Sequence, residues 1–133
     1  MASGCWAYVG KQGGEQVVNL TPPGCMEEEH ITHEVLHSLG FYHEQNRPDR
    51  DQHVRILEEN IRENKKGIIR LLTPLSILNV SGNFLKRQFD EVEQYMSYDH
   101  FSIMHYGMED FSKNKKKTIG NNINIFVNKE ILF

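Results

Sequence analysis

Residues 33 to 44, HEVLHSLGFYHE, hold three histidines and two glutamates in twelve positions. His33 and His37 are four residues apart, so on a helix both side chains leave the same face about one turn from each other. This spacing lets two imidazoles bind one tetrahedral zinc ion at roughly 2.0–2.1 Å each. Glu34 stands next to the first histidine, where it could act on a water molecule in an open zinc position.

A third histidine completes the pattern only if the helix stops. His43 follows His37 by six residues, and Gly40 lies between them. A helix continued through Gly40 would turn His43 away from the other two rings. Glycine can adopt the left-handed conformation that ends a helix and turns the chain, which would return His43 to the metal. The sequence therefore predicts that Gly40 is part of the ligand geometry.

The longer string HExxHxxGxxH is far more specific than HExxH alone. A lone histidine on an apolar helix face is usually packed or solvated, and a bare HExxH also occurs by chance. The longer string fixes five positions, with a chance probability of roughly one in several million per start position. It is the metzincin signature when a Met-turn follows, and SIMHYG at 102–107 supplies Met104. Both halves together predict a zinc site.

These motifs resemble one family of zinc endopeptidases. The stretches HEVLHSLGFYHEQNRPDRDQHVRI, SYDHFSIMHYG and GCWAYVGKQGGEQVVNLTPPGC are similar to the astacin family. The resemblance covers residues 3 to about 66, resumes near Gly82 and fades after about Ile119. It implies an α+β fold of the metzincin type, in which a small mixed sheet and an active-site helix lie above a loop-rich part with a Met-turn.

The resemblance implies a reaction and its main residues. His33, His37 and His43 would ligate one Zn²⁺ ion through neutral imidazole nitrogens. Glu34 would be the general base that takes a proton from the attacking water and passes one to the leaving amine. The implied activity is hydrolysis of internal peptide bonds in proteins or peptides.

Three further residues receive roles by the same resemblance. Met104 would form an apolar floor under the metal without binding it. Tyr106 matches an extra zinc ligand of the family, which also hydrogen-bonds the tetrahedral intermediate. Glu44 matches the residue that holds the new N-terminus after propeptide removal. Because that N-terminal partner is not expected in this chain, Glu44 is predicted to be a buried, unpaired carboxylate.

The elements needed to position these residues can also be predicted. CWAYVG and QVVNL read as two strands, with Gly13-Gly14 in a hairpin turn between them. CMEEEHITHEVLHSLG, 25–40, reads as a helix with an acidic first turn. The repeat of Ile31, Val35 and Leu39 along it predicts a stripe facing the core. RDQHVRILEENI, 50–61, is expected to form a short helix or turn.

Cys5 and Cys25 bracket the two predicted strands. A disulfide between them would tie the ends of this unit and match a pairing of the family. The alternative is two buried free thiols in a reducing compartment. The resemblance and the sequons at Asn19 and Asn79 favour secretion, although no apolar signal region opens the chain.

Length and charge limit the other possibilities. With 133 residues, the chain has room for one domain, divided here into 5–43, a Met-turn subdomain at 44–120 and a diverged tail at 121–133. The net charge of −3 gives no reason to expect nucleic acid as a partner. No stretch is long and apolar enough to span a membrane. KNKKK at 113–117 reads as a solvated loop, and the oligomeric state is not determined.

Two segments depart from the family pattern. The apolar stretch GIIRLLTPLSILNVS, 67–81, is either an extra packing element or translated non-coding sequence. GNNINIFVNKEILF replaces the end of the C-terminal subdomain, and the first part of the family's domain is expected to be absent. The leading interpretation is a partial endopeptidase domain, and the alternative is a zinc-binding fragment or interaction protein without turnover.

Overall fold

The computed structural model describes residues 4–62 and 82–122. Predictions about 67–81, the sequon at Asn79 and residues 123–133 lie outside the described residues. The described chain forms strands and one α-helix: β1 Cys5–Ala7, β2 Val18–Leu20, α1 Glu28–Ser38, β3 Val54–Ile56 and β4 Ile119–Asn121. Short 3-10 helices occur at Glu44–Asn46, Arg50–Gln52, Glu58–Asn60 and Gly82–Phe84. This mixture confirms the α+β class.

The structure separates into two compact units. The first unit comprises the described residues within Met1–Glu44 and Asp99–His105, and the second those within Gln45–Tyr98 and Tyr106–Phe133. The segment 99–105, which contains the predicted Met-turn residue, therefore belongs with the helix although it lies far along the chain. The proposed division into 5–43, 44–120 and 121–133 stays a prediction.

The first unit is built on an antiparallel strand pair closed by a disulfide. β1 pairs with β2 in the register Cys5↔Leu20, Trp6↔Asn19, Ala7↔Val18. Cys5 and Cys25 form a disulfide with their Cα atoms 5.6 Å apart, which confirms the predicted bond. Gly13 and Gly14 in the connection have φ of 86° and 65°, which a turn built on glycine allows. α1 packs against both strands.

The helix α1 starts with acidic residues and exposes part of its predicted core stripe. Glu28 and Glu29 lie in its first turn, where the positive end of the helix dipole favours them. The predicted stripe is wrong for Val35 and Leu39, which are 45% and 70% exposed. The buried side chains of α1 are instead those of Glu34 and His37. The covered face is thus the polar face that carries the candidate site.

The second unit contains the larger apolar cluster. β3 pairs antiparallel with β4 in the register Val54↔Asn121, Arg55↔Gly120, Ile56↔Ile119. The segment 50–61 is therefore two 3-10 turns flanking a strand rather than one short helix. Within this segment, Val54 and Ile61 are buried in the apolar cluster. The buried core consists of Val54, Ile61, Phe84, Tyr98 and Ile119.

Candidate metal centre

The helix α1 carries three of the candidate residues on one side. His33, Glu34 and His37 all lie within Glu28–Ser38. The four-residue spacing brings the rings of His33 and His37 together, with centroids 4.7 Å apart and planes at 89°. The helical spacing predicted from the sequence is therefore present.

The helix ends in a Schellman motif centred on Gly40. The Gly40 amide donates to the carbonyl of His37 at 2.9 Å, and the Phe41 amide donates to the carbonyl of Leu36 at 3.0 Å. These are the two bonds that define the motif, with glycine in the residue after the cap. Gly40 has φ +106°, a backbone conformation that residues other than glycine rarely adopt. The turn directs the chain to His43, as the sequence predicted.

The three histidine rings converge through their Nε2 atoms. Nε2 of His43 lies 3.1 Å from Nε2 of His33 and 3.1 Å from Nε2 of His37. A tetrahedral ion with bonds of about 2.05 Å separates two ligand nitrogens by about 3.3 Å. One metal ion can therefore bind all three nitrogens with little movement of the rings.

The other ring nitrogens of α1 are held by backbone carbonyls. Nδ1 of His33 lies 2.8 Å from the carbonyl of Ile103, and Nδ1 of His37 lies 2.8 Å from the carbonyl of Phe41. A carbonyl only accepts hydrogen bonds, so each Nδ1 carries the proton and donates it. In the neutral rings, Nε2 then presents a lone pair, as metal-ligating histidines require. Three nitrogen ligands suit zinc and leave a fourth position open.

The charge state of His37 fits a metal ligand. Burial lowers the pKa of His37 below the ordinary histidine value, and the nearby His33 acts in the same direction. The hydrogen bond to Phe41 and the charge of Glu34 oppose this shift without cancelling it. The net direction favours the neutral ring, which is the form that binds metal ions.

Glu34 is a buried acidic residue of the first unit. Its side chain is only 5% exposed. Within the described part of the chain, its Oε2 atom has no hydrogen-bond partner. An unpaired buried carboxylate oxygen costs about 1–3 kcal/mol or more and is rare in native proteins. The orphaned oxygen can therefore accept a hydrogen bond from a ligand bound at this site.

The segment Asp99–His105 returns to the first unit and contacts the start of the loop after α1. Met104 is buried, at 4% exposed, and its carbonyl accepts from the Glu44 amide at 3.0 Å. Oε1 of Glu44 accepts from the Asp99 amide at 2.9 Å. Glu44 is also only partly buried. The prediction of a buried, unpaired Glu44 is wrong, because the Asp99 amide, 55 positions further along the chain, supplies the partner.

Tyr106 lies in the second unit, where a buried glutamine fixes its backbone. Gln45 is fully buried, and its Oε1 accepts from the Tyr106 amide at 3.1 Å. The Tyr106 ring packs edge-on against Phe84 at 5.7 Å and lies 5.2 Å from Phe111. Sequence reasoning missed Gln45, although it follows Glu44 directly within the stretch HEQNRPDRD.

Sequence reasoning also missed an ionic and aromatic cluster in the second unit. Asp49 binds Arg47 through both carboxylate oxygens, and Arg47 lies over the Tyr98 ring at 5.4 Å. The His53 ring stacks on the same Tyr98 ring, with centroids 4.6 Å apart. This stacking leaves the His53 ring half-buried, whereas His30 is exposed.

Of the predicted site residues, the structure groups the three histidines most clearly. Within the described residues, His33, His37 and His43 form a cluster able to hold a metal ion. Glu34 belongs to the same helix, and Met104 and Glu44 belong to the same unit. Across the described ranges, no helix has the length and apolar character needed to span a membrane.

Comparison with known proteins places this site in a family context. The family model described as Astacin, a peptidase family, matches residues 1–131. The match thus includes residues 67–81 and most of the tail 121–133, the segments that depart from the family pattern in sequence. Low choriolytic enzyme from Oryzias latipes is 43% identical over 116 residues, which cover 87% of this chain and 36% of that protein.

Two further similarities point the same way. Blastula protease 10 from Paracentrotus lividus is 40% identical over 119 residues, covering 88% of this chain and 17% of that protein. The solved structure of high choriolytic enzyme 1, a hatching enzyme zinc-protease from Oryzias latipes, matches with a TM-score of 0.70 at 36% identity. That match covers 91% of this chain and 52% of the solved one. The chain therefore spans only part of the relatives it matches, and it belongs to the astacin family of metallopeptidases.

Proposed function

We propose that this chain forms the zinc site of an endopeptidase that hydrolyses internal peptide bonds of proteins. The observation that carries the proposal is the convergence of three imidazole Nε2 atoms, with that of His43 lying 3.1 Å from each of the other two. The buried, unpartnered oxygen of Glu34 on the same helix supplies a base beside them. Membership of the astacin family supports peptide-bond hydrolysis as the reaction class. Because this chain spans only 36% of the length of one relative, its own activity is part of what is proposed.

The metal would be held by His33, His37 and His43. When bound there, zinc supplies Lewis acidity toward a carbonyl oxygen and makes water a better nucleophile near neutral pH. The backbone carbonyls of Ile103 and Phe41 keep two of the rings in the tautomer needed for binding. These second contacts fix ring orientation, which commonly affects metal affinity 10- to 100-fold.

Glu34 would move the proton during peptide hydrolysis. Its Oε2 accepts a proton from the attacking water as the oxygen attacks the carbonyl carbon. The same oxygen then gives the proton to the amine nitrogen as the carbon–nitrogen bond breaks. Burial at 5% exposure and the lack of a described competing donor leave this oxygen available for both transfers.

Tyr106 and Met104 take their proposed roles from the family resemblance. In that role, the Tyr106 hydroxyl donates a hydrogen bond to the developing oxyanion. The Tyr106 backbone is held by Gln45, and its ring is supported by Phe84, so the side chain starts from a defined position within the second unit. Met104 is buried in the first unit and would supply an apolar surface without binding the metal.

The proposed setting is extracellular, and the proposed substrates are proteins or peptides. The Cys5–Cys25 disulfide is a bond that forms and persists in oxidising compartments. High choriolytic enzyme 1 is described as a hatching enzyme, which supports secretion by analogy. A chain secreted from cultured cells should contain no reactive thiol, whereas a reduced intracellular form would contain two.

Cleavage of an unfolded protein by the zinc-loaded chain tests the proposal. Glu34→Gln keeps the size of the side chain but removes the base, and we expect cleavage to fall by a factor of roughly 10²–10⁴. Glu29→Gln is the matched control, because Glu29 is exposed on the same helix. Zinc content should be equal in all three proteins, and a chelator should stop cleavage.

Two results would contradict the proposed activity. Equal cleavage by the wild-type and Glu34→Gln chains would remove Glu34 from the reaction. Zinc binding without cleavage by the wild-type chain would favour the alternative, a metal-binding fragment without turnover.

A further inference from the structure

The turn at 113–117 concentrates positive charge at the surface of the second unit. The run Lys-Asn-Lys-Lys-Lys places four lysines in five positions of a chain whose net charge is −3. All four lysine residues are exposed. Arg62 lies at the base of the turn, where its Nε donates to the Ser112 carbonyl at 2.8 Å. The basic turn, residues 113–117, therefore differs from the acidic average of the molecule.

The basic turn is held in shape by two asparagines. Asn60 accepts from the Lys113 amide at 2.8 Å and donates through Nδ2 to the Lys117 carbonyl at 2.7 Å. Asn114 donates to Oδ1 of Asn60 at 2.8 Å, and its own Oδ1 accepts from the Lys116 amide at 3.1 Å. These bonds connect both ends of the turn to one residue. The lysines therefore project from a fixed backbone, which lowers the entropy cost of binding a partner.

The tip of the turn carries a lysine where glycine would be less strained. Lys115 has φ +60°, in the left-handed region that non-glycine residues seldom occupy. Glycine would adopt this conformation without a steric cost. The charged side chain of Lys115 thus lies at the tip of the turn, although the backbone conformation there favours glycine.

The lysine charges are not neutralised by ion pairs with described residues. Within 4–62 and 82–122, the ion pairs of the second unit use Arg47, Arg50, His53 and Lys86, and none uses a lysine of the basic turn. The acidic residues nearest to the turn in sequence are Glu109 and Asp110 before it, and Glu58 and Glu59 before Asn60. Their charges would lower the local positive potential, and the Asp110 carboxylate keeps its charge while its Oδ2 accepts from the Gly107 amide at 2.9 Å.

From this geometry we infer that the basic turn binds a sulfated polysaccharide. Clustered, unpaired lysines on a fixed backbone attract closely spaced anionic groups, and single ammonium groups suit sulfates as point charges. The choice of a sulfated glycan rests on the extracellular setting proposed above, which the Cys5–Cys25 disulfide supports and where such glycans, rather than nucleic acids, are the abundant polyanions. The turn also contains no aromatic residue for base stacking, which single-strand binders use. This surface lies outside the metal site and does not depend on peptide hydrolysis.

Heparin binding by the full chain tests the inference. The triple change Lys113→Gln, Lys116→Gln and Lys117→Gln removes three charges and keeps both asparagines of the scaffold. At low salt we expect its dissociation constant to rise roughly a hundredfold, about fivefold for each lysine. Lys11→Gln is the matched control, since Lys11 is an exposed lysine in the first unit. It should change heparin affinity less than about twofold.

Fully desulfated heparin and single-stranded DNA identify the partner class. We expect desulfated heparin to bind at least about tenfold more weakly than heparin, and both interactions to weaken as salt screens the charges. DNA binding as tight as heparin binding at equal charge concentration would overturn the assignment to sulfated glycans. Equal heparin affinity of the wild-type and triple-variant chains would overturn the surface itself.

Lys115→Gly separates binding from structural damage. Because glycine tolerates φ +60° without strain, this variant should unfold at the same temperature as the wild type or higher. Its heparin affinity should nevertheless fall about fivefold. A Lys115→Gly chain with unchanged heparin affinity would contradict the inference. Protease activity is not part of this readout, so the two proposals succeed or fail separately.

Discussion

At the scale of single residues, the candidate site depends on how each histidine ring is held. His33 and His37 are fixed twice, by their place on α1 and by carbonyls that accept from Nδ1. His43 is placed by the turn after the helix. The lone pairs of the three nitrogens repel one another at this short distance. A metal ion bound by all three would replace that repulsion with metal–nitrogen bonds, so each ring should contribute to zinc affinity.

The first prediction concerns His43. His43→Ala should weaken zinc binding by more than about a hundredfold, because outer contacts of metal ligands alone contribute 10- to 100-fold. His30→Ala is the control, since His30 is exposed near the start of the same helix. Competition with a chromophoric chelator measures both affinities. Equal zinc affinity of the two variants would exclude His43 as a ligand.

The second prediction concerns the acid stability of the second unit. Hydrogen bonds from Arg47 hold the pKa of Asp49 below its ordinary value near 3.8, assisted by the charges of Arg47 and His53 and opposed by burial. A carboxyl group whose pKa is lower in the folded state than in the unfolded state stabilises the fold at pH values above its ordinary pKa. The contribution is lost as the pH falls through the lower, folded-state pKa.

Asp49→Asn tests this assignment through unfolding at several pH values. At pH 7 the variant should be about 1 kcal/mol less stable than the wild type, since the pair with Arg47 is bidentate but partly solvated. The difference should shrink as the pH falls below 3.8 and through the lowered folded-state pKa of Asp49. Asp90→Asn, at an exposed position, should show little change at either pH. A pH-independent difference for Asp49→Asn would assign its effect to packing.

At the scale of elements, the turn after α1 determines whether the third histidine reaches the others. Gly40 carries both the conformation and the hydrogen bonds of the helix end. The Gly10 amide also donates to the His37 carbonyl at 2.8 Å, so the loop after β1 is connected to the same helix end. The Cα atom of Gly10 lies 4.0 Å from the position that a Cβ at Gly40 would occupy, which is ordinary contact.

The third prediction follows from this turn. Gly40→Ala should destabilise the chain by about 1–3 kcal/mol, because alanine is strained at φ +106° even where space is available. Displacement of His43 should weaken zinc binding at the same time. Gly24→Ala is the control, since Gly24 has open space and no positive φ. Unfolding and zinc titration measure both effects, and equal zinc affinity of the two variants would disconnect the turn from the site.

At the scale of the whole molecule, the described chain has few large side chains that are completely buried. Phe84, Gln45, Val54 and Thr118 are the largest of these, and half of them are polar. Small domains with modest cores commonly rely on covalent cross-links. The cross-link Cys5–Cys25 should therefore contribute a large share of the stability of the first unit.

The fourth prediction is that loss of this cross-link strongly destabilises the protein. The bond joins residues separated by 20 positions, for which loop-closure entropy gives about 3 kcal/mol. The double variant Cys5→Ser, Cys25→Ser should therefore unfold at a lower denaturant concentration than the wild type. A reducing agent should produce the same change in the wild type and none in the variant. Equal midpoints would show that the disulfide does not limit stability.

The sequence determined the chemistry of this protein because the ligand pattern is local. His33, His37, Gly40 and His43 lie within eleven positions, so helix periodicity and one glycine were enough to predict their convergence. The strand pair around Gly13-Gly14 and the helix are equally local. Motif spacing carries this information without any knowledge of distant contacts.

Only the tertiary structure decided which surfaces are covered and which partners are distant in sequence. A periodic apolar stripe identifies a face of α1, but in the structure Val35 and Leu39 on that stripe are exposed, and the polar side chains of Glu34 and His37 are buried. Residues 99–105 return to the same unit, where the Ile103 carbonyl contacts His33. Three hydrogen bonds join residues that are distant in sequence. Ile103 contacts His33 over 70 positions, Asp99 contacts Glu44 over 55, and Gln45 contacts Tyr106 over 61. Such contacts form only when the chain folds and brings distant loops together. Neither the periodicity of side chains nor the spacing of motifs along the chain specifies which loops will meet.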